Sequence, residues 1–266
     1  MMGDQDRMGK ELYHYTDFNA LNGIWVKKEI WLGNVLEMND TMEMKHFMKL
    51  LEEAVVQKTH AESIVHELFQ QQTQRLKEMP VYALSLSNKN DDAAQWERYG
   101  NSGKGVCIGF NANMLKEYTQ KTNAVLQPVH YVKDVKQHEH VNLISQYIEN
   151  NTLNNGWDNI DSVFENAWAC ASAFKHSSFK CEDEERIMSV VLELVVGKPH
   201  YLVTRDAIRE YYPLSFKDYD MNELVSTITL GPRASISLDV LKRYLSYEAK
   251  TATEGIEIRQ SVCPLR

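Results

Sequence analysis

Apolar and polar positions alternate from Glu11 to Thr16 (ELYHYT), the pattern of a half-buried strand. Asp17 is placed to cap a helix over FNALNGIWVKK, with Leu21, Ile24 and Trp25 on one face. EIWLG (29–33) reads as a short strand, and Asn39 with Asp40 as a turn or cap. Residues 41–77 carry helical periodicity in two pieces, with ridges at Phe47, Leu50, Leu51 and Val55, then Ile64 and Leu68. Pro80 ends that region. VYALSLS (81–87) is a strand, NKNDD a turn, and AAQWERYG a short helix stopping at Gly100. NSGKG is a tight loop, and VCIGFN (106–111) a strand placed to lie beside 81–87 in one sheet. Residues 112–120 are helical.

Pro128 interrupts VLQPVHYV (125–132), which marks an edge strand. Residues 139–174 are largely helical, and 185–196 form a long β run. The tail alternates short strands (HYLVT, STITLGP, IEIRQS) with a helix near 238–248. Strands and helices mix without regular βαβ alternation, so the fold class is α+β.

Composition narrows this picture. The 266 residues, 43% hydrophobic, suffice for one large core or two small ones. No Pro/Gly/Ser linker and no repeat divides them. A single domain over 1–266 is expected, with helical insertions at about 41–78 and 139–174. The net charge of −8 argues against a bulk electrostatic grip on nucleic acid, although a local basic rim of Lys104, Lys175, His176 and Lys180 fits the sequence. No two of the four cysteines have metal-ligand spacing, and no signal peptide precedes them. A reducing cytoplasm is the expected compartment. No apolar run approaches the roughly 18–20 residues of a membrane span.

Four dense segments carry candidate chemistry: 12–25, 83–105, 174–186 and 228–232. In LYHYT, strand alternation puts His14 and Thr16 on one side and Tyr13 and Tyr15 on the other. The structural alternative is a polar strand end that caps a helix. In AAQWERYG, Trp96 and Tyr99 lie three apart and share a helix face, while Gln95 and Glu97 point elsewhere. Gly100, Gly103 and Gly105 would let a ligand approach backbone N–H groups. Core aromatics followed by an ordinary hairpin are the alternative. In FKCEDEERIM, strand geometry puts Glu182 and Glu184 on one face with Asp183 opposite, and Arg186 in reach of Glu184. Paired carboxylates repel, so they need either solvent or a task. His138, His140 and His130 sit in a polar, Lys-rich stretch that reads as a solvated loop rather than a metal site.

With these segments in place, the chain resembles a prokaryotic family named only domain of unknown function 2971. LYHYT with its ALNGI helix, WLGNVLEMND with Asn39 and Asp40, LSLSNKNDDAAQWERYGNSGKGVCIGF, FKHSSFKCEDEERI and ITLGP resemble its blocks in order, over nearly the whole chain. Glu185 stands where the family usually has Trp, and Thr41 where it commonly has Pro. The layout is also similar to ADP-ribosyltransferases of the His-Tyr-Glu type. That resemblance implies a split β-sheet core with helical insertions and NAD as co-substrate. It implies His14 as ribose anchor, with Tyr15, Thr16, Ser85 and Ser87 around the cofactor. Tyr99 and Trp96 would be the stacking aromatics, Glu184 the catalytic carboxylate and Glu182 its companion. Asn39, Asp40, Lys175 and Arg186 would face the substrate.

The expected function is therefore ADP-ribosyl transfer from NAD to RNA, DNA or protein by a bacterial toxin or antiphage effector. An antitoxin or inhibitor protein would be its partner, with no membrane and no metal involved. Two rivals stay open. A metal-dependent nuclease or hydrolase would use Glu182, Glu184, His14 and Lys175. A non-catalytic module sensing a nucleotide or a partner would keep binding its ligand after loss of Glu184.

Overall fold

Asp17 separates the first strand from the first helix. β1 (Glu11–Thr16) ends there, and the Asp17 carboxylate accepts the Ala20 amide at 2.9 Å to start α1 (Phe18–Trp25). In this computed structural model the described residues are 9–37, 41–78, 80–122, 124–133, 139–155, 161–189, 199–203, 207–248, 253 and 255–265. The chain continues through β2 (Glu29–Asn34), α2 (Thr41–Thr59), α3 (Glu62–Glu78) and β3 (Tyr82–Ser87). Next come α4 (Ala93–Arg98), β4 (Val106–Asn111), α5 (Ala112–Lys121), β5 (Ala124–Pro128) and β6 (His130–Val132). Then follow α6 (Glu139–Asn155), α7 (Asp161–Ala171), β7 (Phe174–His176) and β8 (Glu184–Ser189). β9 (His200–Val203), β10 (Ile208–Ser215), α8 (Met221–Leu224), β11 (Val225–Leu230), α9 (Leu238–Glu248) and β12 (Glu257–Gln260) complete it.

The fold is mixed α+β, built on one mostly antiparallel sheet. Its strand order is β12-β11-β4-β1-β3-β2-β10-β9, with β8 beside β3 and β5 beside β8. Only the β11–β12 pairing within it is parallel, among the described residues. β3 and β4 share the sheet as expected but are not neighbours, because β1 runs between them. β5 pairs only with β8, so Pro128 does sit in an edge strand, among the described residues. β10 had no counterpart in the sequence reading, and Pro213 within it explains why. Pro213 pairs with Trp31 of β2 while β9 covers only Ile208–Tyr211, so the missing N–H costs no ladder bond to β9. The long β run expected to start at 185 starts at Glu184, and its part beyond Ser189 lies outside the described residues.

The sheet separates two apolar clusters. One joins Leu84, Leu86 and Ile187 to α1, α5, α8 and α9. The other joins Ala83 and Met188 to α2, α3, α6 and α7, the expected helical insertions. Ala83 and Met188 are cross-strand partners, and so are Ser85 with Arg186 and Ser87 with Glu184. Cross-strand partners share a face, and every second residue returns to it. One face of β3 and β8 therefore runs from apolar, under the helices, to polar and charged toward Ser87 and Glu184. No helix among the described residues is long and apolar enough to cross a membrane.

Candidate functional site

β3 has β8 along one whole edge. On its other edge, among the described residues, it has Cα partners only at Tyr82 and Ala83, in β2, and at Ser87, in β1. Between those contacts β1 and β2 part and leave Leu84–Leu86 without a ladder on that side. A cavity of 560 Å³ opens over this notch. His14, Thr16, Ser85, Ser87, Tyr99 and Glu184 line it, so residues from distant segments meet there as the sequence suggested.

His14 closes the apex of the notch. Its Nδ1 lies 3.3 Å from the Ser85 carbonyl oxygen, a contact between side chain and backbone where the sheet ladder is missing. Burial lowers the imidazole below its ordinary 6.5, and the Ser85 hydrogen bond and the charge of Asp17 oppose the shift. His14 is thus biased toward its neutral form, with one nitrogen left to meet a ligand. Tyr15 points its hydroxyl the other way: it donates to the Lys89 carbonyl at 2.8 Å and accepts the Asp92 amide at 2.9 Å. Its ring meets Trp96 edge-on at 5.0 Å. Ser87 is also engaged, donating to the Glu182 carbonyl at 2.7 Å and accepting the Lys89 amide.

The paired carboxylates converge by a different route from strand alternation. Glu182 ends a 3₁₀ turn (Ser177–Glu182), and Asp183 adopts a left-handed conformation with φ of 49°. Only Glu184 belongs to the strand. The kink turns Asp183 outward, where it holds Asn88, and buries both glutamates. Lys175 Nζ bridges them: it donates to Glu182 Oε2 and lies 3.4 Å from Glu184 Oε1. Arg186 donates to Glu184 Oε2 at 3.0 Å and to the Ser172 carbonyl. Arg98 donates to Glu182 Oε1 at 2.5 Å, and the Tyr99 hydroxyl reaches the same oxygen at 3.1 Å. Lys175 and Arg186 are therefore buried counter-ions of the glutamates, and Lys175 does not belong to an exposed basic rim. The Glu184 amide donates to the Tyr131 hydroxyl at 2.9 Å, and burial pushes that phenol's pKa up, so it stays protonated.

α4 turns a different face to the cavity than expected. Asp92 caps the helix through the Ala94 and Gln95 amides. Gln95, Arg98 and Tyr99, at i, i+3 and i+4, face the cavity and Glu182. Trp96 lies behind them, fully buried in a small cluster with Tyr13, Tyr15 and Cys107, its indole N–H donating to Asp91 at 2.7 Å. The glycines that follow serve this packing. A Cβ on Gly100 would sit 2.4 Å from the Trp96 ring, and one on Gly105 would sit 2.0 Å from the Thr16 carbonyl oxygen. The amides of Gly103 and Gly105 are spent on the Trp96 and Gly100 carbonyls, so neither is offered to a ligand.

Asn39 and Asp40 lie outside the described residues. Arg98 and Gln95 were missed in the sequence. Gln95 stands four residues before Tyr99 and Trp96 three, so the spacing admits either beside Tyr99. The second arm of the cavity was missed as well. It holds Trp31 and Tyr211, with ring centroids 4.8 Å apart, beside Glu29, Glu37, Arg209 and Glu210. Among the described residues no three His, Cys, Asp or Glu side chains are arranged to hold a metal ion.

Residues 95–187 match the family described as protein of unknown function (DUF2971). The matched segment runs from the cavity face of α4 through Lys175, Glu182, Glu184 and Arg186. It leaves out β1 with His14, and the second arm. No curated protein and no solved structure matches the chain.

Proposed function

We propose that this cavity binds NAD and that the protein transfers ADP-ribose from it to a macromolecular acceptor. One observation carries the reading: His14 and Glu184, brought from opposite parts of the chain, wall the same notch where β1 leaves β3. That arrangement fits the split-sheet core of the His-Tyr-Glu type. A cavity of 560 Å³ lies within the usual range for small-molecule and cofactor sites.

The residues present suit such a ligand. His14, neutral and anchored on Ser85, offers a hydrogen bond to a ribose hydroxyl. Tyr99, partly exposed on the lip, offers a ring to a flat base. Glu184 is fixed in place by Lys175 and Arg186, and a preorganised carboxylate there suits a developing positive charge. In the reaction, the bond between the ribose anomeric carbon and the nicotinamide nitrogen breaks, nicotinamide leaves neutral with the electron pair, and an acceptor O–H or N–H nucleophile bonds to that carbon and releases its proton to water.

Metal-dependent hydrolysis is less well supported by the donors themselves. Both oxygens of Glu182 and both of Glu184 already carry a cation or a hydrogen-bond donor. A divalent ion would have to displace buried partners. The test is incubation of the purified protein with labelled NAD and cell extract, followed by nuclease or protease digestion. Label on a macromolecule supports the reading and names the acceptor class. No label and no consumption of NAD would overturn it.

A further inference from the structure

The charges around the glutamates do not cancel, and the surplus sits at the cavity. Lys175 and Arg186 balance Glu182 and Glu184, and all four side chains are at most 4% exposed. Arg98 joins the same cluster as a fifth charge. Its side chain is 47% exposed, and it lines the cavity. One of its terminal nitrogens is committed to Glu182, and no other partner is recorded for the guanidinium among the described residues. A guanidinium has five N–H donors in a fixed fork, so most of that fork remains for a ligand. The pair with Glu182 fixes its orientation, which lowers the ordering cost of binding.

The other arm of the cavity has the opposite character. Glu29, Glu37 and Glu210 line it beside Arg209. Glu29 has Lys217 at 3.8 Å, while Glu210 is met by the hydroxyls of Tyr82 and Tyr201 and the amide of Asn34. A ligand with an anionic group would place it at the Arg98 end and keep its neutral or hydroxyl-bearing parts toward the acidic arm.

We propose that Arg98 is a phosphate-binding residue: anchored by Glu182, its free donors take a phosphate oxygen of the ligand at the cavity lip. Under the NAD reading, on which this inference builds, that group is the dinucleotide's diphosphate. Arg98 is then a binding residue, and Glu182 acts through it by holding the guanidinium in place. Glu182 is not among the residues that line the cavity, and its oxygens are held by Arg98, Tyr99 and Lys175, so it serves this end of the site by positioning.

The experiment is calorimetric titration of the full chain with ADP-ribose, inorganic pyrophosphate and nicotinamide riboside, the last having no phosphate. Arg98→Gln should weaken ADP-ribose by about 10- to 100-fold, the range for a lost charge-assisted hydrogen bond. Its affinity for nicotinamide riboside should change by less than about twofold. Arg98→Lys, which keeps the charge and the pair with Glu182 but loses the fork, should fall between. It also supplies the comparison if the Gln variant does not fold, as judged by thermal unfolding. Unchanged ADP-ribose affinity in the Gln variant overturns the proposal. So does an equal loss for nicotinamide riboside, which would make Arg98 only a brace for the site. Pyrophosphate binding that depends on Arg98, without binding of NAD or nicotinamide riboside, would sustain the phosphate site and remove the NAD reading. Normal NAD turnover by the Gln variant would do the reverse.

Discussion

Lys175 Nζ lies 3.4 Å from Glu184 Oε1, in a place where both side chains are almost wholly shielded from water. The same ammonium also holds Glu182. Removing it leaves two carboxylates facing each other with one fewer cation, in a medium where uncompensated charge is expensive. Lys175→Met should cost about 3–5 kcal/mol of stability, the range for breaking a buried ion pair from one side. Urea unfolding of both proteins measures it. A loss under about 1 kcal/mol would mean that the three charges are not coupled as their distances imply.

Under the proposed NAD reading, Glu184→Gln should lower ADP-ribosyl transfer by about 100-fold or more, the scale for one key electrostatic group. The variant should also lose some stability, because Lys175 and Arg186 both lean on this carboxylate. The amide keeps the hydrogen bonds and loses the charge, so about 1–3 kcal/mol should go with it. Turnover per folded molecule, taken well below the melting temperature, separates the two effects. Near-normal turnover would remove Glu184 from catalysis.

His14 should make the protein acid-sensitive. Its folded pKa lies below the ordinary 6.5, mainly because of burial. The unfolded chain therefore takes up a proton that the folded chain resists. Stability from this residue is complete above about pH 6.5 and falls as pH drops toward the lowered folded value. His14→Gln should flatten that part of the curve. Melting temperatures of both proteins between pH 5 and pH 8 provide the check, and identical slopes would show that His14 titrates normally.

Trp96 and Tyr99 should behave as opposites. Trp96 is fully buried, so Trp96→Ala should destabilise by about 3–5 kcal/mol. Tyr99 is 39% exposed, and Tyr99→Ala should mainly weaken NAD binding. Tyr99→Phe retains the ring and loses one donor to Glu182, which Arg98 and Lys175 still hold, so it should cost about 1 kcal/mol or less. Titration with NAD and thermal unfolding of the three variants tell them apart. An affinity loss in Tyr99→Phe equal to that of Tyr99→Ala would shift the role from the ring to the hydroxyl.

Much of this site could be read before the fold was known. His14 and Thr16 share a side of β1 because strand alternation is local, and both line the cavity, as do Tyr13 and Tyr15 from the other side of the strand. Asp17 caps α1 because a carboxylate before an apolar-periodic run satisfies free amides wherever that run occurs. The Glu182–Glu184 pair was legible as an electrostatic problem that needed an answer. Its answer, Lys175 buried between them, was not. From its sequence context Lys175 belongs to an exposed basic approach, and only the turn at Asp183, which buries Glu182 and Glu184 against it, supplies its partners.

Local patterning by itself determined the α+β class, the positions of most strands and helices, and which segments carry the polar chemistry. Period and capping depend on neighbours a few residues away, so the chain states them openly. Tertiary structure decided what each segment faces. α4 is too short for its periodicity to choose between a face with Trp96 and a face with Gln95, Arg98 and Tyr99. Burial of the indole against Tyr15 and Asp91 makes that choice. The glycines of the next loop went to close packing with Trp96 and Thr16, since only a third dimension reveals what a missing Cβ makes room for. The notch itself exists because β1 and β2 each pair with only one end of β3, a relation between distant strands that no local pattern encodes.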